Sequence, residues 1–140
     1  MTRLSFVPAF GFAIAVLSAG CDGHSAGPND TPLGQPFDLR AGSSAALDGG
    51  LRVTFERVPA DSRCPIDAFC VRAGEALVAL TISQDGRNTA ARELRTDPAA
   101  AAETTYSGYS IKLLRLAPYP RSGQQIPPGD YVATLTVGVR

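Results

Sequence analysis

Two cysteines, Cys64 and Cys70, are the residues whose type and spacing most clearly indicate chemistry in this chain. They lie in the stretch DSRCPIDAFCVRAG, residues 61–74, with five residues between them. That gap differs from the two-residue gap of a redox-active pair, and the sequence holds no second Cys or His pair that would complete a zinc site. The spacing therefore predicts a structural disulfide. Closing so short a loop stabilises a fold by only about 2 kcal/mol, so we expect the bond mainly to fix the loop's shape.

Three charged residues of the same stretch, Asp61, Arg63 and Asp67, form a candidate interaction loop. Asp61 is predicted to cap a turn by accepting the backbone N–H of Arg63 or Cys64, and it could also pair with the Arg63 side chain. Asp61 and Asp67 lack the alternating oxygen ligands of a calcium loop, so no metal site is predicted. We expect Arg63 and Asp67 to be exposed. Replacing either would then weaken partner capture and change stability by less than ~0.5 kcal/mol.

No arrangement of residues in the sequence indicates catalysis. A serine nucleophile needs a base, and the single histidine, His24, lies in a polar segment near the start of the chain. No motif marks the cleft that a pair of catalytic carboxylates would need. We therefore predict no enzymatic activity and no cofactor. A pocket lined by tyrosines would favour a binding module, with Tyr106, Tyr109, Tyr119 and Tyr131 as the candidates. A flat polar surface would favour a structural or accessory protein, and a protruding rigid loop would favour a hydrolase inhibitor.

The first 20 residues have the pattern of a secretory signal peptide. Arg3 precedes an apolar run over residues 6–17, and three small residues stand before Cys21. The run is shorter than the ~20 residues of a membrane-spanning helix. LSAGC, residues 17–21, resembles the bacterial lipobox, and that resemblance implies that Cys21 carries a lipid. The alternative is an ordinary signal whose cleavage leaves Cys21 as a free thiol.

Composition and charge extend this interpretation to the rest of the chain. Residues 22–35 are rich in Gly, Pro, Asp and Ser, which is typical of a flexible tether, and one folded domain is expected over residues 36–140. The 13 basic and 13 acidic residues balance, so no nucleic-acid-binding field is expected. The predicted location is the cell envelope, facing the periplasm or the exterior. The predicted partners are the membrane, through the lipid, and an unidentified envelope protein.

Alternating apolar residues predict an all-β domain. The clearest examples are LRVTFERV, residues 51–58, which we expect Pro59 to end, and GEALVALTIS, residues 74–83, which we expect to be a central strand. Asp48-Gly49-Gly50 predicts a hairpin between the first two strands, and residues 97–104 are expected to be a crossover or loop. Further strands are expected over residues 37–42, 89–94 (an edge strand), 107–120 and 129–140, with a bulge near Leu113-Leu114 and strict alternation from Tyr131 to Val139. About seven strands favour an immunoglobulin-like β-sandwich, with a small closed barrel as the alternative.

The motifs of this domain resemble those of small uncharacterised bacterial lipoproteins of β-sandwich type. The shared pattern is DSRCP, a cysteine after four further residues, a stretch like W-x-G that enters an apolar strand, and a proline-rich turn before a final D-Y strand. Here it corresponds to Asp61–Pro65, Cys70, Ala73-Gly74-Glu75 and Asp130-Tyr131. Arg72 stands where the pattern has tryptophan. The resemblance covers roughly the last 90 residues. It implies an exported sandwich lipoprotein and names no activity.

Overall fold

The structure is a computed structural model that describes residues 30–97 and 102–140. These residues form two antiparallel four-stranded sheets, which confirms the predicted β-sandwich with eight strands in place of about seven. A 3-10 helix at Pro128–Asp130 precedes the last strand. The strands are β1 (Phe37–Arg40), β2 (Ser43–Leu47), β3 (Leu51–Asp61), β4 (Ala76–Gln84), β5 (Arg87–Arg95), β6 (Glu103–Tyr106), β7 (Tyr109–Ala117) and β8 (Val132–Val139).

Each sheet is built mainly from strands that are neighbours in sequence. One has the order β2-β3-β4-β5 and the other β1-β8-β7-β6. The stretch at 37–42, predicted as a single strand, is a strand only over Phe37–Arg40, where β1 pairs with β8. The chain then turns at Ala41 and Gly42 into the other sheet, where β2 begins. The hairpin at Asp48-Gly49-Gly50 therefore joins β2 and β3, with Leu47 opposite Leu51. As predicted, β4 is central and β5 is an edge strand.

The core is formed by the inward faces of both sheets. The alternating residues of β3 and β4 are buried in it, and the largest fully buried side chain is Phe55. Burial of an aliphatic or aromatic side chain of this size stabilises the fold by roughly 1.5–3 kcal/mol. The alternation of the last strand stops at Val137. Val139 is exposed, contrary to the prediction.

Two strands contain bulges that shift which residues face the core. β7 shifts register between Leu113 and Arg115, which confirms the predicted bulge and returns Leu116 to the core. β3 continues through Pro59 to Asp61, with register shifts after Phe55 and after Arg57. The prediction that Pro59 ends this strand is wrong, because bulges accommodate a residue that lacks a backbone N–H. The longer β3 delivers Asp61 directly to the start of the disulfide loop.

The segment before β1 packs on the sandwich. Thr31 bridges Leu47, the Gly34 N–H donates to the Val137 carbonyl at 2.7 Å, and Leu33 contacts the core. The predicted tether therefore docks on the domain from Thr31 onward. The signal peptide, Cys21 and His24 lie outside the described residues. Of residues 97–104, expected to be a loop, Glu103 and Thr104 belong to β6.

The two ends of the sandwich carry different turns and connections. At one, which we call the N-terminal end, lie Thr31, the β2–β3, β4–β5 and β6–β7 turns, and Arg140, whose N–H donates to the Gly108 carbonyl. At the other, which we call the loop end, lie the connection between β3 and β4 and the connection between β7 and β8. Both connections are long, and both reach the candidate site. No helix of the described residues is long and apolar enough to cross a membrane.

Candidate functional site

The disulfide loop, residues 62–75, joins β3 to β4 and has two paired arms. The Ser62 N–H donates to the Glu75 carbonyl at 2.8 Å, and the Cys64 N–H donates to the Ala73 carbonyl at 2.7 Å. Gly74 makes this pairing possible. It has a φ of +66°, and a Cβ there would overlap the Ser62 carbonyl oxygen. The arms therefore continue the β3–β4 hairpin beyond the sheet.

The predicted disulfide between Cys64 and Cys70 is present, with the two Cα atoms 5.9 Å apart. Within the ring it closes, the Ala68 N–H donates to the Pro65 carbonyl at 3.1 Å. The disulfide thus holds the far part of the loop, residues 65–72, as a compact tip at the end of the paired arms.

Arg63 anchors the loop to the second sheet and is not the exposed residue that the sequence suggests. It is the one buried charged residue among those described, at 5% exposure. Its guanidinium donates to the Leu116 carbonyl at 2.7 Å and to the Pro118 carbonyl at 3.0 Å. It also lies 4.8 Å from the centroid of the Tyr119 ring, a cation–π distance. Arg63 therefore holds the β3–β4 loop against the end of β7.

Asp61 neutralises Arg63. Its two carboxylate oxygens accept from Nε at 2.8 Å and from a terminal nitrogen of the guanidinium at 2.6 Å. The predicted turn cap is confirmed, because the Arg63 backbone N–H also donates to this carboxylate, at 3.2 Å. Burial acts to raise the pKa of Asp61. The hydrogen bonds and charge of Arg63, with the Tyr131 hydroxyl at 3.1 Å, outweigh it and hold the pKa below its ordinary value.

Tyr131 completes this group. Its hydroxyl donates to Asp61, and burial together with the nearby carboxylate raises its pKa above the usual value. It therefore stays a hydrogen-bond donor across the physiological range. The tyrosines do not share a pocket. Tyr106 and Tyr131 are buried, Tyr109 packs partly against the core, and Tyr119 is half exposed beside Arg63.

Asp67 is exposed, as expected, but it has a structural contact. Its carboxylate accepts the Ser122 N–H at 2.8 Å, and this hydrogen bond lowers the pKa of Asp67. Next to it, the Ile66 N–H donates to the Pro120 carbonyl at 3.0 Å. The tip is therefore attached on one side to the β7–β8 connection. Asp61 and Asp67 serve different contacts, and no metal-binding group of three or more His, Cys, Asp or Glu side chains occurs within 30–97 and 102–140.

The other side of the tip is apolar and uncovered. Phe69 and Val71 are fully exposed, at 104% and 101%, and Ile66 is exposed at 55%. We call these three side chains the apolar tip. Sequence reasoning did not single them out, although three large apolar residues within six positions of a loop are an unusual signal, since loops are normally polar.

Comparison of the chain with protein-family models, with curated proteins and with solved structures gives no match. The disulfide loop is therefore the feature of the molecule that bears on its function.

Proposed function

We propose that this protein is a binding module of the cell envelope that captures a protein partner with the apolar tip of its disulfide loop. It is exported by the signal at residues 1–20 and held to a membrane by a lipid on Cys21. It performs no catalysis. The export pattern, the lipobox-like LSAGC and the resemblance to envelope lipoproteins support its location.

The full exposure of Phe69 and Val71 on a braced loop is the observation that carries the proposal. An apolar side chain in water contributes nothing to folding, whereas its burial against a partner is worth roughly 1.5–3 kcal/mol. The disulfide, the Arg63 contacts and the Asp67–Ser122 hydrogen bond fix the loop before it meets a partner. Such preorganisation lowers the entropic cost of binding. An aromatic anchor on a fixed support is typical of a binding hot spot.

The position of the loop favours a protein over the anchoring bilayer as the partner. The described chain begins at the N-terminal end, opposite the loop end. Ten residue steps separate Cys21 from Thr31, so the tether reaches at most about 35 Å. β3, with 11 residues, is itself about 35 Å long. The tip would reach the membrane only if the tether were stretched along the whole length of the sandwich. We therefore expect the apolar tip to point away from the membrane.

A second candidate function, inhibition of an envelope hydrolase, draws on the same feature. An inhibitor needs a protruding loop that keeps its shape inside an enzyme cleft, and the tip has both properties. The two candidates share the binding surface and differ in the partner. Loss of a hydrolase activity on addition of this protein would distinguish them.

A capture experiment with matched variants tests the proposal. The full-length chain is expressed in its lipidated form, envelopes are crosslinked, and partners are recovered for wild type, Phe69→Ser/Val71→Ser and the control Val139→Ser. Val139 is also an exposed apolar residue, at 75%, and lies at the opposite end. We expect the tip variant to lose the partner and the control to keep it, with stability of both within ~0.5 kcal/mol of wild type. Undiminished capture by a folded tip variant would refute the proposal.

A further inference from the structure

A cleft lies beside the apolar tip, between the returning arm of the disulfide loop and the outer end of β7. Its volume is about 670 Å³, which is within the usual range for ligand sites. The returning arm contributes Arg72 to Glu75, β7 contributes Leu113 to Leu116, and Tyr119 closes one side. Arg72 directly follows Val71 of the tip. The cleft therefore begins one residue from the tip, close enough for a partner on Val71 to extend into it.

Two arginines that line the cleft make no ion pair with another described residue. Arg63 is neutralised by Asp61 at 2.6 Å, and Glu75 by Arg95 at 2.8 Å. Arg72 and Arg115 are exposed, and neither has an ion pair or a side-chain hydrogen bond within the described part of the chain. Asp97, the remaining carboxylate at the edge of the cleft, has an interaction of its own. Among the described residues that line the cleft, three arginines thus face two carboxylates, and Arg72 and Arg115 are the two arginines left without a charged partner there.

The same cleft has an apolar side. Leu114 is 48% exposed and Tyr119 is 51% exposed, and both line it together with the Arg72 and Arg115 side chains. Two guanidinium groups beside an aliphatic and an aromatic surface suit a carboxylate on a partly apolar chain, because Arg forms paired hydrogen bonds with carboxylates. The charge and the apolar surface together favour an acidic protein segment.

We propose that the cleft binds a carboxylate side chain from an acidic segment of the same partner that the apolar tip contacts. This inference rests on the proposed function and specifies the partner's chemistry: an apolar pocket for Phe69 and Val71, flanked by acidic residues that reach Arg72 and Arg115. The tip supplies the buried apolar area. The two arginines set the orientation of the partner and select against a neutral one.

Charge removal tests the inference separately from the proposed function. In the same capture experiment, Arg72→Gln/Arg115→Gln should reduce recovery of the partner about three- to tenfold, as the loss of two exposed ion pairs implies. The remaining capture should be less sensitive to salt than that of wild type. The matched control, Arg52→Gln/Arg57→Gln, removes the same charge from exposed positions of β3 and should capture normally. If the tip variant loses the partner and the Arg72/Arg115 variant keeps it with unchanged salt dependence, the inference fails and the proposed function stands.

The identity of the group in the cleft is tested by photo-crosslinking in intact cells. A p-benzoylphenylalanine in place of Leu114 should form a crosslink to a protein, at a peptide that contains Asp or Glu. A crosslink to phospholipid would overturn the inference and assign the cleft to an anionic membrane surface. A crosslink to a protein segment without acidic residues would overturn it as well.

Discussion

At the scale of single residues, Arg63 is the centre of the site, and its role is structural. Its charge, its hydrogen bonds and its stacking against Tyr119 all serve to join the two long connections at the loop end. The sequence indicates the Asp61 cap because that contact spans two residues. It does not indicate the burial of Arg63, because the partners in β7 and beyond are 53 and 55 residues away. Local sequence patterns indicate which interactions a residue can make, whereas its burial depends on which distant segment packs against it.

Removing either member of the buried pair should be costly, and the two losses should not add. Arg63→Met or Asp61→Asn alone leaves a charge uncompensated in a buried site, and each should destabilise the fold by about 3–5 kcal/mol. The double variant should lose less than the sum of the two. Urea unfolding of the four proteins measures this. Additive losses would contradict the direct pairing of Asp61 with Arg63.

The same pair predicts how stability depends on pH. The pKa of Asp61 is lower in the folded state than in the unfolded state, so its ionised form stabilises the fold above the unfolded pKa of about 3.9. This contribution is lost as the pH falls through the lower folded value. We expect the free energy of unfolding to drop below about pH 4, and to drop less in Asp61→Asn. Identical pH profiles for wild type and Asp61→Asn, each relative to its value at pH 7, would contradict this assignment.

At the scale of elements, the disulfide loop is a hairpin extension whose tip is closed by the disulfide and attached on one side to the β7–β8 connection. The sequence predicts the disulfide and most of the strands, because the cysteine spacing and the period-two alternation are local signals. It does not predict the continuation of β3 through Pro59, the turn at Ala41-Gly42 that leads the chain from β1 into the other sheet, or the exposure of Val139. The first two depend on strand pairing, because bulges let β3 continue past Pro59 and β1 pairs with β8 at the far end of the chain. Val139 is paired with Tyr109 but is the last residue of β8, and its side chain is exposed there.

Loss of the disulfide should affect the shape of the loop, and with it partner capture, much more than the stability of the fold. Cys64→Ala/Cys70→Ala should lose about 2 kcal/mol and remain folded, because the paired arms and the core persist. Partner capture should fall far more than stability does, since the tip is no longer preorganised. Urea unfolding and crosslinked recovery measure the two quantities. Normal capture by the folded variant would show that the disulfide does not preorganise the tip.

Gly74 provides a second test of the loop that leaves the disulfide intact. Gly74→Ala should destabilise the protein, because its Cβ collides with the Ser62 carbonyl and its φ is positive. Gly86→Ala is the matched control: its φ of +69° is similar, but nothing lies within 4 Å of the added Cβ. Thermal unfolding should therefore show a larger loss for Gly74→Ala. Equal losses would mean that the two arms are not closely paired.

At the scale of the whole molecule, the first described residues and the apolar tip lie at opposite ends of one sandwich. The anchor is still a prediction from sequence, as Cys21 lies outside the described residues. If Cys21 carries the lipid, the mature protein should partition into detergent, and Cys21→Ala should leave it soluble or unprocessed. Unchanged partitioning of Cys21→Ala would contradict lipidation at this residue. The position of the tip would then no longer argue against a membrane partner.

The most direct test of the central claim is site-specific photo-crosslinking of the lipidated protein in intact cells. A p-benzoylphenylalanine replaces Phe69 in the apolar tip in one strain and Val139 at the opposite end in another. We predict a discrete protein adduct from position 69 that disappears when Val71→Ser is added, and no such adduct from position 139. Equal adducts from both positions, or an adduct from position 139 alone, would contradict the assignment of the disulfide loop as the binding surface.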